Sequence, residues 1–157
     1  MKIYLKTLIW ILILGLSGCQ NGNNAKHSLD RLISTKWIFL GFQHNDTKIY
    51  ESVPSDLSGM NIAFYNSHSF QAASSCNTAY GNYLIFEQNS LKIDSIVMTK
   101  MFCIDSTQST WEDKYISGLK SSKGFEITND TLSISTNSNI EMLFKVESQK
   151  TKPGNQN

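Results

Sequence analysis

No charge of one sign dominates this 157-residue chain, in which 14 Lys and Arg stand against 13 Asp and Glu. Scattered, balanced charge offers no footprint for a nucleic-acid partner. The usual signatures of catalysis are also missing. The three histidines, His27, His44 and His68, lie far apart in polar segments, which speaks against a metal cluster. No Gly-x-Ser-x-Gly frames a nucleophilic serine, and no Gly-rich fingerprint surrounds Gly81 to cradle phosphate. Glu112 has no second carboxylate at a recognisable spacing, so general acid–base chemistry has no support. The cysteines are three, Cys19, Cys76 and Cys103, and none stands in a Cys-x-x-Cys loop. The expectation is therefore a chain without catalytic residues, cofactor or metal.

The one long apolar run is at the start. Lys2 and Lys6 precede Leu8, Ile9, Trp10, Ile11, Leu12, Ile13 and Leu14, and Leu16-Ser17-Gly18-Cys19 follows. A positive segment, a short apolar core and small residues before a cleavage point make a secretory signal peptide. A membrane span needs about 20 apolar residues, more than this run holds. Leu16-Ser17-Gly18-Cys19 matches the bacterial lipobox, in which small residues admit the chain to a peptidase and the cysteine thiol takes diacylglycerol. Cys19 is thus the expected lipidation site; one acyl chain alone holds only marginally, and a lipidated Cys19 would carry several, so stable anchoring is expected. Gln20, in place of Asp, favours the outer membrane. Loss of Lys2 and Lys6 lowers the formal net charge from +1 to −1. The expected division is a signal peptide over 1–18, a lipidated flexible tether over 19–28, one domain over 29–148 and a polar, frayed tail over 149–157.

With Cys19 acylated, Cys76 and Cys103 remain. An even pair in an exported chain points to one disulfide, worth roughly 3 kcal/mol through the unfolded chain, with two buried free thiols as the alternative. Alternation of apolar and polar residues predicts strands at Lys36–Phe42, Met60–Tyr65, Ser69–Ala73, Tyr83–Phe86, Leu91–Val97 and in two C-terminal hairpins between Phe125 and Val146. In the fifth of these, Leu91, Ile93, Ser95 and Val97 are expected on one face. Ser28 is read as capping a short turn through Leu29, Leu32 and Ile33. One helix is predicted from Thr110 to about Lys120, with Ser109 and Glu112 at capping-box spacing and Trp111, Tyr115, Ile116 and Leu119 as its apolar stripe. There is no strand–helix–strand rhythm. The fold class is α+β: a strongly bent antiparallel sheet or partly open small β-barrel packed against one amphipathic helix.

The stretch Cys76-Asn77-Thr78-Ala79-Tyr80-Gly81-Asn82-Tyr83, then Thr99-Lys100-Met101-Phe102-Cys103, then Glu112, Tyr115 and Leu119 resembles the META domain family, whose bacterial members include HslJ-like lipoproteins. Upstream, Leu32 and Trp37 resemble its opening strand and Ile62-Ala63-Phe64 the strand before the motif. The likeness covers roughly residues 29–146. Two positions depart from the pattern: Ser75 stands where a glycine is usual, and Ala79 followed by Tyr80 shifts an aromatic by one place. The resemblance implies a compact barrel with a packed helix, tethered to the bacterial envelope and linked to heat, envelope or antibiotic stress, with no general activity or cofactor.

Asn77, Gly81, Thr99, Met101 and Glu112 are read as motif or structural residues. Gly81 is expected to allow a bend or a positive φ, and Glu112 to serve the helix start. Trp37, Phe39, Trp111 and Tyr115 would either line an apolar pocket or fill the core. Three functions follow. The first is a non-catalytic envelope lipoprotein that supports stress tolerance by contacting another envelope component. The second is a binder of a small apolar or acyl ligand beneath the helix. The third is an inhibitor of a secreted hydrolase such as lysozyme, by analogy of fold. The expected partners are the membrane, through the N-terminal lipid, and an envelope protein or apolar ligand, with no nucleic acid.

Overall fold

The computed structural model describes residues 21–66, 68–86 and 89–147. The signal segment, Cys19 and the tail lie outside them. Nine strands form one antiparallel sheet: β1 (Lys36–His44), β2 (Ile49–Ser52), β3 (Asn61–Phe64), β4 (Ser69–Ala73), β5 (Thr78–Leu84), β6 (Lys92–Met98), β7 (Ser122–Thr128), β8 (Thr131–Thr136) and β9 (Ile140–Val146). Their order is β6-β5-β4-β3-β1-β9-β8-β7, with β2 paired to the far half of β1. Two helices complete the described residues, α1 (Asn21–Ser34) and α2 (Ser106–Lys120). The fold is a curled antiparallel half-barrel of the α+β class.

The curl brings the two edge strands together at one point. Leu91 N–H donates to Lys123 O at 3.2 Å and Phe125 N–H to Asn89 O at 2.8 Å. The Ile93 N–H reaches Ser122 Oγ at 3.1 Å. Each helix covers one open end. α1 lies where β1 begins: the Trp37 indole donates to Leu32 O at 3.2 Å, and Arg31 donates to Asn129 O in the β7–β8 turn. α2 covers the opposite end, with Tyr115 Oη donating to Asn61 O at 2.9 Å and Ser121 O accepting from Asn137 N–H at 3.0 Å. The apolar stripe of α2, Trp111, Tyr115, Ile116 and Leu119, is buried against the barrel interior.

Several expectations change at this level. Residues 21–28, within the expected tether, are helical, because α1 starts at Asn21 and anchors on buried Leu32 and half-buried Leu29. The described residues therefore hold two helices, not one. α2 starts one turn before Thr110. Its cap is Asp105, whose Oδ1 accepts from Gln108 N–H at 2.9 Å, while Gln108 Oε1 accepts from Ile104 N–H at 2.9 Å. Ser109 is inside the helix. β5 begins at Thr78, so most of the motif around Asn77 is strand. In β6 a register shift breaks the alternation, since Tyr83 pairs with Ile93 but Asn82 pairs with Ser95. The extra residue, Asp94, turns the rest of the strand over. Leu91 and Ile93 are buried, while Ser95 and Val97 face solvent.

Two glycines fix close approaches. Gly41 follows a bulge at Leu40 in the β1–β9 pairing and has φ +147°. A Cβ there would stand 2.1 Å from Glu51 O, so only glycine lets β2 lie against β1. Gly81 has no positive φ, contrary to one expectation. Its need is space, since a Cβ would stand 1.8 Å from Ser95 O and 2.7 Å from the Phe70 ring.

Candidate functional site

Three segments meet beside the first half of α2: the β4–β5 turn, the segment 99–105 and the helix itself. Asn77 is the hub, and it is buried. Its Oδ1 accepts from Met101 N–H at 2.7 Å and from Thr99 Oγ1 at 2.8 Å. Its Nδ2 donates to Glu112 Oε1 at 2.9 Å and to Met101 O at 3.3 Å. Its backbone N–H donates to Glu112 Oε2 at 2.8 Å, and the Ser74 hydroxyl donates to that same oxygen. Thr99 Oγ1 also accepts from Thr78 N–H at 3.1 Å. Bonds to a carboxylate, such as those Glu112 accepts, are stronger than neutral ones.

The Cys76–Cys103 disulfide, with Cα atoms 5.5 Å apart, ties the same two segments covalently. Thus Cys76, Asn77, Thr99, Met101, Cys103 and Glu112 form one cluster, and Gly81 lies further along β5. Ser74 and Gln108, which the motif reading did not single out, belong to it as well. Ser75 donates from Oγ to Gln108 O at 2.6 Å, so this departure from the family pattern adds a bond to α2. Ser75 has no positive φ, so glycine is not required for its backbone. Ala79 is buried and Tyr80 faces outward, which places the shifted ring on the outer surface.

Glu112 is not a helix-start residue. It lies in the second turn of α2, facing the Asn77 turn, and its two oxygens receive three donors. These bonds tie the Asn77 turn to α2 through the Glu112 carboxylate. Sγ of Cys76, Sγ of Cys103 and a Glu112 oxygen lie within 4.8 Å of one another, the one such group among the described residues. Both sulfurs are spent in the disulfide, and metal ligation needs thiolates.

The cluster holds an apolar loop in solvent. Met101 is 66 % exposed, Phe102 96 % and Ile104 88 %. Both the N–H and the C=O of Met101 are bonded to the Asn77 side chain, and Cys103 is bonded to Cys76. The loop is therefore fixed at its base while its large side chains remain unburied.

Of the two alternatives for the four rings, the structure shows the second: they fill the core. Trp37, Phe39, Trp111 and Tyr115 are all buried, with Phe39 against Tyr115 at 4.9 Å and against Phe144 at 5.1 Å between centroids. Burial raises the Tyr115 phenol far above its ordinary pKa of 10.0, keeping the hydroxyl protonated for its bond to Asn61 O. A groove of about 460 Å³ lies elsewhere, beside the second half of α2. Lys114, Ser117, Gly118 and Ser121 form its helix wall, and Phe42 and Ile140 its apolar floor. His44 and Glu51 stand on one side and Thr136 and Ser138 on the other. Glu51 pairs with Lys114 and lies 3.9 Å from His44 Nε2. Lys114 also stands over the Trp111 ring, 5.3 Å from its centroid.

A half-barrel with both ends covered, a disulfide and a fully satisfied Asn–Glu cluster define a small braced β-domain. A sequence model of the META domain matches residues 42–149, and the chain belongs to that family. No curated protein matches it by sequence. Among solved structures it is similar to a Burkholderia xenovorans protein determined by NMR, at 18 % identity and a TM-score of 0.64, over 82 % of this chain and 90 % of that one. It is also similar to a DUF4847-family protein of Bacteroides vulgatus, at 16 % identity and a TM-score of 0.57, over 77 % of this chain and 98 % of that one. At these identities the likeness is one of fold.

Proposed function

We propose that the chain is an exported lipoprotein, anchored through Cys19, that works without catalysis by holding an apolar loop against another component of the bacterial envelope and so supports tolerance of envelope stress. The observation that carries this reading is the exposure of Phe102 and Ile104 on a segment fixed by Asn77 and by the disulfide. Large apolar side chains in water cost about 25 cal/mol per Å² of surface left unburied. A network that presents them there suits contact. α1, which leads from the anchor, covers the other end of the barrel, so the loop is on the side away from it.

The test replaces the full-length chain in its host by the Phe102→Ser, Ile104→Ser variant under envelope stress. The expected result is normal abundance and lost tolerance. Full tolerance at equal abundance would contradict the reading. Anchoring has its own check: a Cys19→Ser precursor loses labelling by a palmitate analogue, and unchanged labelling would sink it.

A further inference from the structure

The segment that leads into α2 has a hydrogen-bonding pattern of its own. From Thr99 to Cys103 the chain is neither helix, strand nor turn, and it first bends at Ile104 and Asp105. In an extended chain, successive residues present their N–H and C=O groups to opposite sides. Met101 presents both of its groups inward, to the Asn77 side chain. Lys100 and Phe102, on either side of it, are exposed and make no backbone hydrogen bond among the described residues. We propose that this segment occupies the substrate cleft of a serine endopeptidase, with the Phe102 ring in a deep apolar primary pocket, and so inhibits that enzyme. The inference rests on the reading of the loop as a contact element and names the class of its partner.

Such a cleft pairs with an extended peptide as one strand pairs with another. Main-chain bonds then supply affinity, and pockets for single side chains supply choice. The free backbone groups of Lys100 and Phe102 are the ones this pairing uses, while Met101 between them faces its own scaffold. Phe102 is the most exposed ring among the described residues, and an aromatic anchor that fills a pocket at the centre of a contact carries much of the binding energy. Met101 is the poorer anchor, because its backbone is tied inward and its side chain is less exposed. The same ties separate an inhibitor from a substrate. Asn77 holds Met101 and the disulfide to Cys76 holds Cys103, so both flanks of Phe102 are fixed to the β4–β5 turn. Beyond them, Ile104 N–H donates to Gln108 Oε1 at 2.9 Å, and Ser75 Oγ donates to Gln108 O at 2.6 Å. A segment already held in its bound shape loses little conformational freedom on binding, and its flanks cannot part. The loop lies at the barrel end opposite α1, so an enzyme can approach it from the side away from the proposed anchor.

The probe is chymotrypsin, whose primary pocket takes a large apolar side chain. Increasing amounts of the full-length chain, purified in mild detergent, are mixed with it. Residual hydrolysis of a small chromogenic peptide is followed, with mass spectrometry of the chain alongside. The chain should inhibit and remain uncut between Phe102 and Cys103. Phe102→Gly should weaken inhibition about thirtyfold or more, the loss typical of a central anchor. Phe102→Arg should lose hold on chymotrypsin and gain hold on trypsin, whose pocket carries an aspartate, each by about tenfold or more. Unfolding cannot produce that gain. No inhibition by the wild type, inhibition that survives Phe102→Gly, or a Phe102→Arg chain with no hold on trypsin overturns the proposal. Rapid cleavage after Phe102 also overturns it, since the loop would then be a substrate. The contact reading fails separately: full tolerance in the Phe102→Ser, Ile104→Ser chain removes it, whereas lost tolerance without inhibition leaves it standing and removes the endopeptidase.

Discussion

At the scale of the residue, Asn77 decides most. Its amide joins Thr99, Met101 and Glu112, three partners from two other segments. Asn77→Ala removes them all and leaves a carboxylate short of a donor, so urea unfolding should show a loss of about 2–4 kcal/mol. The sequence made Asn77 legible as a residue that satisfies backbone groups at a turn. Its pairing with Glu112, 35 positions away, was not legible, because capping-box spacing from Ser109 supplied a local role for that glutamate. The need for glycine at position 41 is hidden in the same way: an aromatic strand reads as a strand, and the close carbonyl of Glu51 exists only once β2 folds back.

Tyr115 gives a pH dependence. Burial raises its folded pKa above 10.0, whereas the unfolded phenol ionises near its ordinary value. The stabilising difference is whole below pH 10 and falls as pH rises beyond it, by about 1.4 kcal/mol per pH unit. Between pH 10 and 11 the wild type should lose stability faster than Tyr115→Phe, measured by urea unfolding at each pH. Parallel losses would show that this phenol does not titrate differently on folding.

At the scale of the element, alternation exposed the β-rich plan, and the C-terminal hairpins stand where the pattern placed them. Boundaries failed where a signal is not periodic. α2 gains its first turn from the Asp105 and Gln108 cap rather than from an apolar stripe, and α1 extends through Asn and Gly residues of low helix propensity. The β6 bulge was invisible because Val97 keeps perfect alternation with Leu91 in the sequence, and only the pairing with β5 shows the slip. Gly81→Ala tests that pairing. A methyl 1.8 Å from Ser95 O must push β6 away, so a loss of about 1–3 kcal/mol is expected in denaturant unfolding. The disulfide closes a separation of 27 residues, and the Cys76→Ala, Cys103→Ala chain should be less stable by roughly 3–4 kcal/mol in the same measurement.

At the scale of the whole molecule, the half-barrel separates support from display. One cluster of buried rings and aliphatics fills the interior, from Leu32 in α1 through Trp37 and Phe144 to Leu119 in α2. The disulfide and the Asn77 network then fix a loop whose largest side chains take no part in that core. The most direct measurement is the unfolding free energy of the Phe102→Ser, Ile104→Ser chain beside the wild type. If these residues serve a contact and not the fold, the two chains will agree within about 0.5 kcal/mol, as substitutions on a free surface do. A loss of about 2 kcal/mol or more would mean that the loop is part of the core, and the contact account would be wrong.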